Sequence, residues 1–160
     1  MTEHVTTDFQ PRTPDWENRV RDSFARQPFM TLLGARLTAV SPGMVVIEAD
    51  HGAHLTQQHG FFHAGVSSSL ADSAGGYAGF TLFPADSSVL TVEYKMNLIR
   101  PAQGDRLRAV GQAVRSGRTI TFCELRVFDR IDGAWRLCAT GQQTLICLAG
   151  RLDRPPAPPT

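Results

Sequence analysis

The segment from Ala64 to about Phe80 constrains this chain most, because it is free of proline and periodic as a helix while its two faces differ in kind. Val66, Leu70, Ala74, Tyr77 and Thr81 fall at i, i+4, i+8, i+11 and i+15, an apolar stripe able to lie across a sheet. The other stripe is Gly65, Ser68, Ser69, Asp72, Gly75, Gly76 and Gly79, nearly all too small to fill a core. A glycine inside a helix costs about 1 kcal/mol relative to alanine. A helix that keeps three of them in its interior, Gly75, Gly76 and Gly79, is expected to be approached closely by other backbone, and we read this as a partner helix from a second subunit.

Around this helix the chain reads as strands. Residues 15–27 form a short amphipathic helix bearing Trp16, Val20 and Phe24, bounded by Pro14 and Pro28. Runs 33–40 and 43–50 make a hairpin about Ser41-Pro42-Gly43, and a loop, 51–62, leads to the long helix. Four strands follow, 88–99, 105–115, 118–129 and 134–147, the later ones joined at Ser116-Gly117 and Asp132-Gly133. In the first of them Leu90, Val92, Tyr94, Met96 and Leu98 alternate with polar residues, which predicts one polar face and one core face. The expected architecture is α+β, a curved antiparallel sheet wrapping one long helix. Residues 14–149 form the single domain, 1–13 a flexible N-terminal tail and 150–160 a proline-rich C-terminal tail.

Composition excludes several classes. Sixteen basic against fifteen acidic residues leave a net charge of +1, so no global field draws the chain to nucleic acid or to an anionic membrane. No run approaches the ~18 apolar residues of a membrane span, and the N-terminus lacks a basic region followed by an apolar one, so a cytoplasmic protein is expected. Cys123, Cys138 and Cys147 are odd in number, without CxxC spacing, and read as buried free thiols.

Chemistry concentrates at Thr56-Gln57-Gln58-His59-Gly60-Phe61-Phe62-His63-Ala64-Gly65, leading into Asp72. A histidine followed by small residues at a helix start exposes backbone N–H groups where the helix dipole favours negative charge, a candidate oxyanion hole. Asp72 is the only acid on the long helix and lies on its small-residue face, where a carboxylate is costly to bury without a purpose. Nine residues separate it from His63, an axial distance of about 13 Å and a half turn beyond two full turns. One helix therefore cannot bring both to one carbonyl, whereas two antiparallel helices across a dimer interface would set the helix start of one subunit beside the Asp of the other. The clustered histidines lack a matching carboxylate pair, so no metal is assigned. Ser67, Ser68 and Ser69 lack a G-x-S-x-G elbow, and Gly75-Gly76-x-x-Gly79 does not follow a strand, which sets aside a serine triad and a dinucleotide fingerprint.

The run H-A-G-V-x-x-x-x-A-D-S-A-G-G-Y-A at 63–78, followed by S-V-L-T-V-E-Y-K-M-N-L-I-R-P-A at 88–102, resembles the PaaI-type hotdog-fold acyl-CoA thioesterases over about Leu33 to Leu148. The resemblance implies a hotdog fold, pairing into homodimers or homotetramers, and hydrolysis of an acyl-CoA with no cofactor, CoA being part of the substrate. It implies that Asp72 is nucleophile or general base, and that His63, Ala64 and Gly65 stand for the family's helix-start H-G-G, whose backbone N–H after the histidine polarises the thioester oxygen, here with alanine second. Gln57, with Gln58 as neighbouring alternative, matches the loop amide beside the carbonyl, and Thr91 a strand hydroxyl assisting water. Ser68 on the open helix face and Arg100, Arg115 and Arg118 at strand ends are expected substrate contacts, the arginines for CoA phosphates. A non-catalytic acyl-CoA-binding module on the same fold is the alternative.

Overall fold

A computed structural model describes residues 8–154. Two short helices, α1 (Trp16–Ala25) and α2 (Pro28–Leu32), precede the hairpin β1 (Arg36–Ser41) and β2 (Met44–Asp50). A 3-10 turn at Ala53–Leu55 leads to α3 (Ala64–Phe80), and β3 (Ser87–Leu98), β4 (Arg106–Ser116), β5 (Ile120–Ile131) and β6 (Ala134–Ala149) complete the chain. Pro28 ends α1 as expected and also opens α2, since a proline at a first helical position gives up an N–H with no intrahelical partner. The N-terminal tail expectation covers residues 1–7, which lie outside the described residues, and 8–13, which rest on the domain. Phe9 packs against Gly43, and Arg12 donates to the carbonyl of Gly117 at 3.0 Å. Of the C-terminal segment, 155–160 lie outside the described residues, while Asp153 pairs with Arg26 at 2.7 Å.

All six strands form one antiparallel sheet in the order β1-β2-β4-β5-β6-β3. Shifts of register in four of the five strand pairings curve it around α3. Val45, Ile47, Leu107, Ala109, Leu125, Val127 and Leu145 alternate inward onto the buried Val66, Leu70, Ala74 and Tyr77 of α3. This is the hotdog arrangement, one long helix in a curved six-stranded sheet.

Two expectations are corrected. The glycines of α3 are not all reserved for a partner helix. A Cβ on Gly75 would collide with the Gln143 amide and lie 2.6 Å from Leu125 Cδ2, and one on Gly79 would strike Leu145. These two glycines admit the chain's own sheet, and Gly111 of β4 likewise admits the α3 backbone at Ala74 and Gly75. Gly76 alone of the three opens on unoccupied space. Nor does the alternation in β3 describe a single face. Thr91 pairs with Leu145 and Tyr94 with Gln143, so Val92 forms a bulge that reverses the inward phase. Val89 and Thr91 face α3 before it; Tyr94, Met96 and Leu98 share that face after it. Leu90, on the outer face before the bulge, Val92 at it, and Tyr94 and Leu98 beyond it are exposed rather than core, while Met96 packs against the core.

Candidate active site

The start of α3 is set by the loop before it. The N–H of His63 bonds to Leu55 O and that of Phe62 to Ala102 O, each at 2.9 Å, which fixes where the helix begins. His63 is the N-cap in extended conformation, its Nδ1 accepting the Gly65 N–H at 2.9 Å, and the Val66 N–H bonds to His63 O. Among the described residues the Ala64 N–H has no acceptor. The N–H left free at the positive end of the helix is therefore that of Ala64, while that of Gly65 is occupied by the histidine cap.

Ala64 lines a pocket of about 560 Å³ together with Gln57, Phe61, Phe62, Ser67 and Cys138. Gln57 is held there by its turn: its N–H reaches Phe61 O, its carbonyl accepts from Gly60, and its Oε1 accepts from the His59 N–H. Gln58, the alternative, lines no described pocket. Burial pushes the Cys138 thiol up to about 11, which keeps it from acting as a thiolate nucleophile beside this pocket.

Asp72 lies elsewhere, two and a half turns along α3, on the wall of a second pocket of about 330 Å³. Thr91 donates to Asp72 Oδ1 at 2.7 Å, and Gln143 Nε2 donates to the same oxygen at 2.6 Å and to the Asp72 carbonyl at 3.0 Å. Gln143 Nε2 also lies 3.0 Å from Thr91 Oγ1. The bulge at Val92 keeps Thr91 in the inward phase that makes this contact. The opposite wall comes from α1 and its junction with α2: Ser23 and Gln27, both within 3.4 Å of the Tyr77 hydroxyl. Burial raises the Tyr77 phenol above its ordinary value, so it presents a neutral hydroxyl.

The structure thus brings Asp72 and Thr91 together, and separates them from His63, Ala64 and Gln57 within one chain. Arg100 borders the helix-start pocket, but its guanidinium is engaged by the fully buried Asp129 at 2.7 Å and by Leu137 O. Arg115 and Arg118 are exposed at the β4–β5 turn and line neither pocket. Ser68 lies half-buried on the open helix face without lining either. Sequence reasoning missed Gln143, Ser23 and Gln27. For Gln143 a signal existed, a polar residue in the inward phase of β6 beside Leu145 and Cys147. Ser23 and Gln27 carried none, since only the packing of α1 on Tyr77 brings them near Asp72.

Comparison with known proteins places this geometry. Residues 59–135 match the thioesterase superfamily. A crystal structure of a thioesterase family protein from Silicibacter pomeroyi is 45% identical and superimposes with a TM-score of 0.83 over 84% of this chain and 99% of that one. The chain belongs to the thioesterase superfamily. Among other superfamily relatives, the 1,4-dihydroxy-2-naphthoyl-CoA hydrolase of Escherichia coli is 29% identical over 92 residues, 58% of this chain and 65% of that one. The PaaI protein of Escherichia coli, at 17% identity, shares the fold with a TM-score of 0.77 over 88% of this chain and 99% of that one. As a member of this superfamily the chain is a thioester hydrolase. No helix of the described residues is long and apolar enough to cross a membrane.

Proposed function

We propose that the chain hydrolyses acyl-CoA thioesters to free acid and CoA at a site shared between two copies, with aryl-acetyl or short to medium acyl groups as substrates. The observation that carries this reading is the Asp72 carboxylate, tied at Oδ1 by Thr91 and Gln143 and set in an open pocket. In a homodimer with antiparallel α3 helices, the Ala64 N–H of one copy meets the thioester oxygen while Asp72 of the other acts on the carbonyl carbon. The exposed edge strand β3 and the open α3 face at Ser68, Asp72 and Gly76 supply the surface for that pairing. The same association repeated would give a dimer of dimers. The buried thiols Cys123, Cys138 and Cys147 suit a reducing, cytoplasmic setting.

Asp72 acts as general base in this scheme. Thr91 has committed its hydrogen to Oδ1, so toward a water it presents only a lone pair. A water donating to Thr91 Oγ1 and to Asp72 directs its own lone pair at the carbonyl carbon. Asp72 takes the proton as the C–O bond forms, the oxyanion rests on the Ala64 N–H, and collapse breaks the C–S bond, the proton passing to the CoA thiolate. Loss of one such N–H donor typically costs about 10²–10³ in rate. Release of free thiol from a panel of aryl, short and medium acyl-CoAs tests the function. Turnover by wild type that vanishes in a folded Asp72→Asn variant is expected; saturable CoA-ester binding without thiol release would replace the hydrolase with a binding module.

A further inference from the structure

Gln143 is 2% exposed, and its side chain is the only buried one among the described residues with a polar atom lacking any hydrogen-bond partner, Oε1. That oxygen lies against Gly75, at the place a Cβ would occupy. The reverse orientation of the amide would aim Oε1 at Asp72 Oδ1 and at the Asp72 carbonyl, two oxygens that cannot donate to it. The amide is therefore held with both Nε2 hydrogens shared among Asp72 Oδ1, the Asp72 carbonyl and Thr91 Oγ1, at 2.6, 3.0 and 3.0 Å. Leaving a buried oxygen unpaired is unfavourable, and a residue chosen for packing alone would not carry it.

We propose that Gln143 is a positioning residue for the hydrolytic site, resting on the reading of Asp72 as its base. It acts twice. Donating to Oδ1, it fixes the carboxylate rotamer, so that the second oxygen, Oδ2, is the one left for water. Donating to Thr91 Oγ1, it turns the Thr91 hydrogen toward Asp72 and leaves the threonine an acceptor for that same water. Gly75 is the matching concession in α3, because any side chain there would expel the amide. The other titratable groups on this pocket are Tyr77 and Asp153, the latter paired with Arg26 at 2.7 Å, while β3 and β6 present no ionisable side chain to it.

The test is Gln143→Met, which preserves length and bulk and removes both the donors and the unpaired oxygen. The variant is expected to melt at or above the wild-type temperature. Its kcat should fall about tenfold to hundredfold, the span for losing a hydrogen bond to a charged group, with KM within about twofold of wild type. Wild-type kcat in the folded variant would overturn the proposal. Gln143→Glu, of nearly the same shape, gives an independent reading: it sets an acceptor against Asp72 Oδ1 where a donor stood, so kcat should fall at least as far as in Gln143→Met. The wild-type assay separates the two readings. If wild type turns nothing over, hydrolysis fails as the function, whereas an active wild type with an equally active Gln143→Met refutes the role of Gln143 alone.

Discussion

Asp72 stands between two demands, a firm hold on one oxygen and access to the other. Thr91 and Gln143 supply the hold and the 330 Å³ pocket the access. Asp72→Asn keeps an acceptor for both donors, so it should fold as wild type does by circular dichroism while kcat falls by about 10²–10⁴, the range for losing a general base. Single-turnover hydrolysis in ¹⁸O-water should label the product acid and leave the Asp72 carboxyl unlabelled; label in Asp72 would mean direct attack through an anhydride. At this scale the sequence was informative where chemistry and position coincide. A lone acid on a small-residue face and a histidine before a helix are visible in the letters 63–72. The resemblance already pointed to the N–H after the histidine, that of Ala64; that the histidine ring occupies the Gly65 N–H was not visible, because it depends on the rotamer of His63. Gln143 was missed because it reaches Asp72 across 71 residues of chain.

At the level of elements, α3 was legible because its period and its lack of proline agree, and the hairpin at Asp132-Gly133 because both residues take the positive φ such a turn requires. The face of β3 was not. Alternation in sequence maps onto one face only while the register holds, and the bulge at Val92 breaks it. The packing of α3 on its sheet yields a further expectation. Gly75→Ala would place a methyl against the Gln143 amide and Leu125, costing about 1–3 kcal/mol of stability by overpacking. A lower urea midpoint together with reduced turnover is expected; a midpoint equal to wild type would show that the helix shifts to accept the methyl. The β1, β2 and β4 side of the sheet carries charge pairs of its own. Hydrogen bonds from Arg36 first, and from Arg106, hold the Asp50 carboxyl below its ordinary value. A depressed folded value means stabilisation that is present above the ordinary aspartate range and lost as pH falls through the folded value. Denaturation midpoints should therefore decline below about pH 4, and less steeply in Asp50→Asn, with a small amplitude because the pair is half exposed. Equal slopes in the two proteins would remove Asp50 from the account.

For the whole molecule, the decisive feature is that one chain sets the free Ala64 N–H in one pocket and the Asp72 carboxylate in another. Their spacing along α3 was calculable from helix geometry, whereas the surface that would join them, the uncovered end of β3, came to light only with the sheet order. The central claim is that a working site takes one half from each of two copies. Complementation between Asp72→Asn and Ala64→Pro tests it most directly. Proline suits the first position of a helix, and the extended His63 before it already has the backbone a following proline prefers, so Ala64→Pro removes one N–H and little else. Each variant alone should be nearly inactive in thiol release. Unfolded and refolded together, they should regain about one quarter of wild-type turnover, since half the dimers are mixed and each mixed dimer holds one intact site of two. Mixed dimers that form and stay inactive would contradict the shared site.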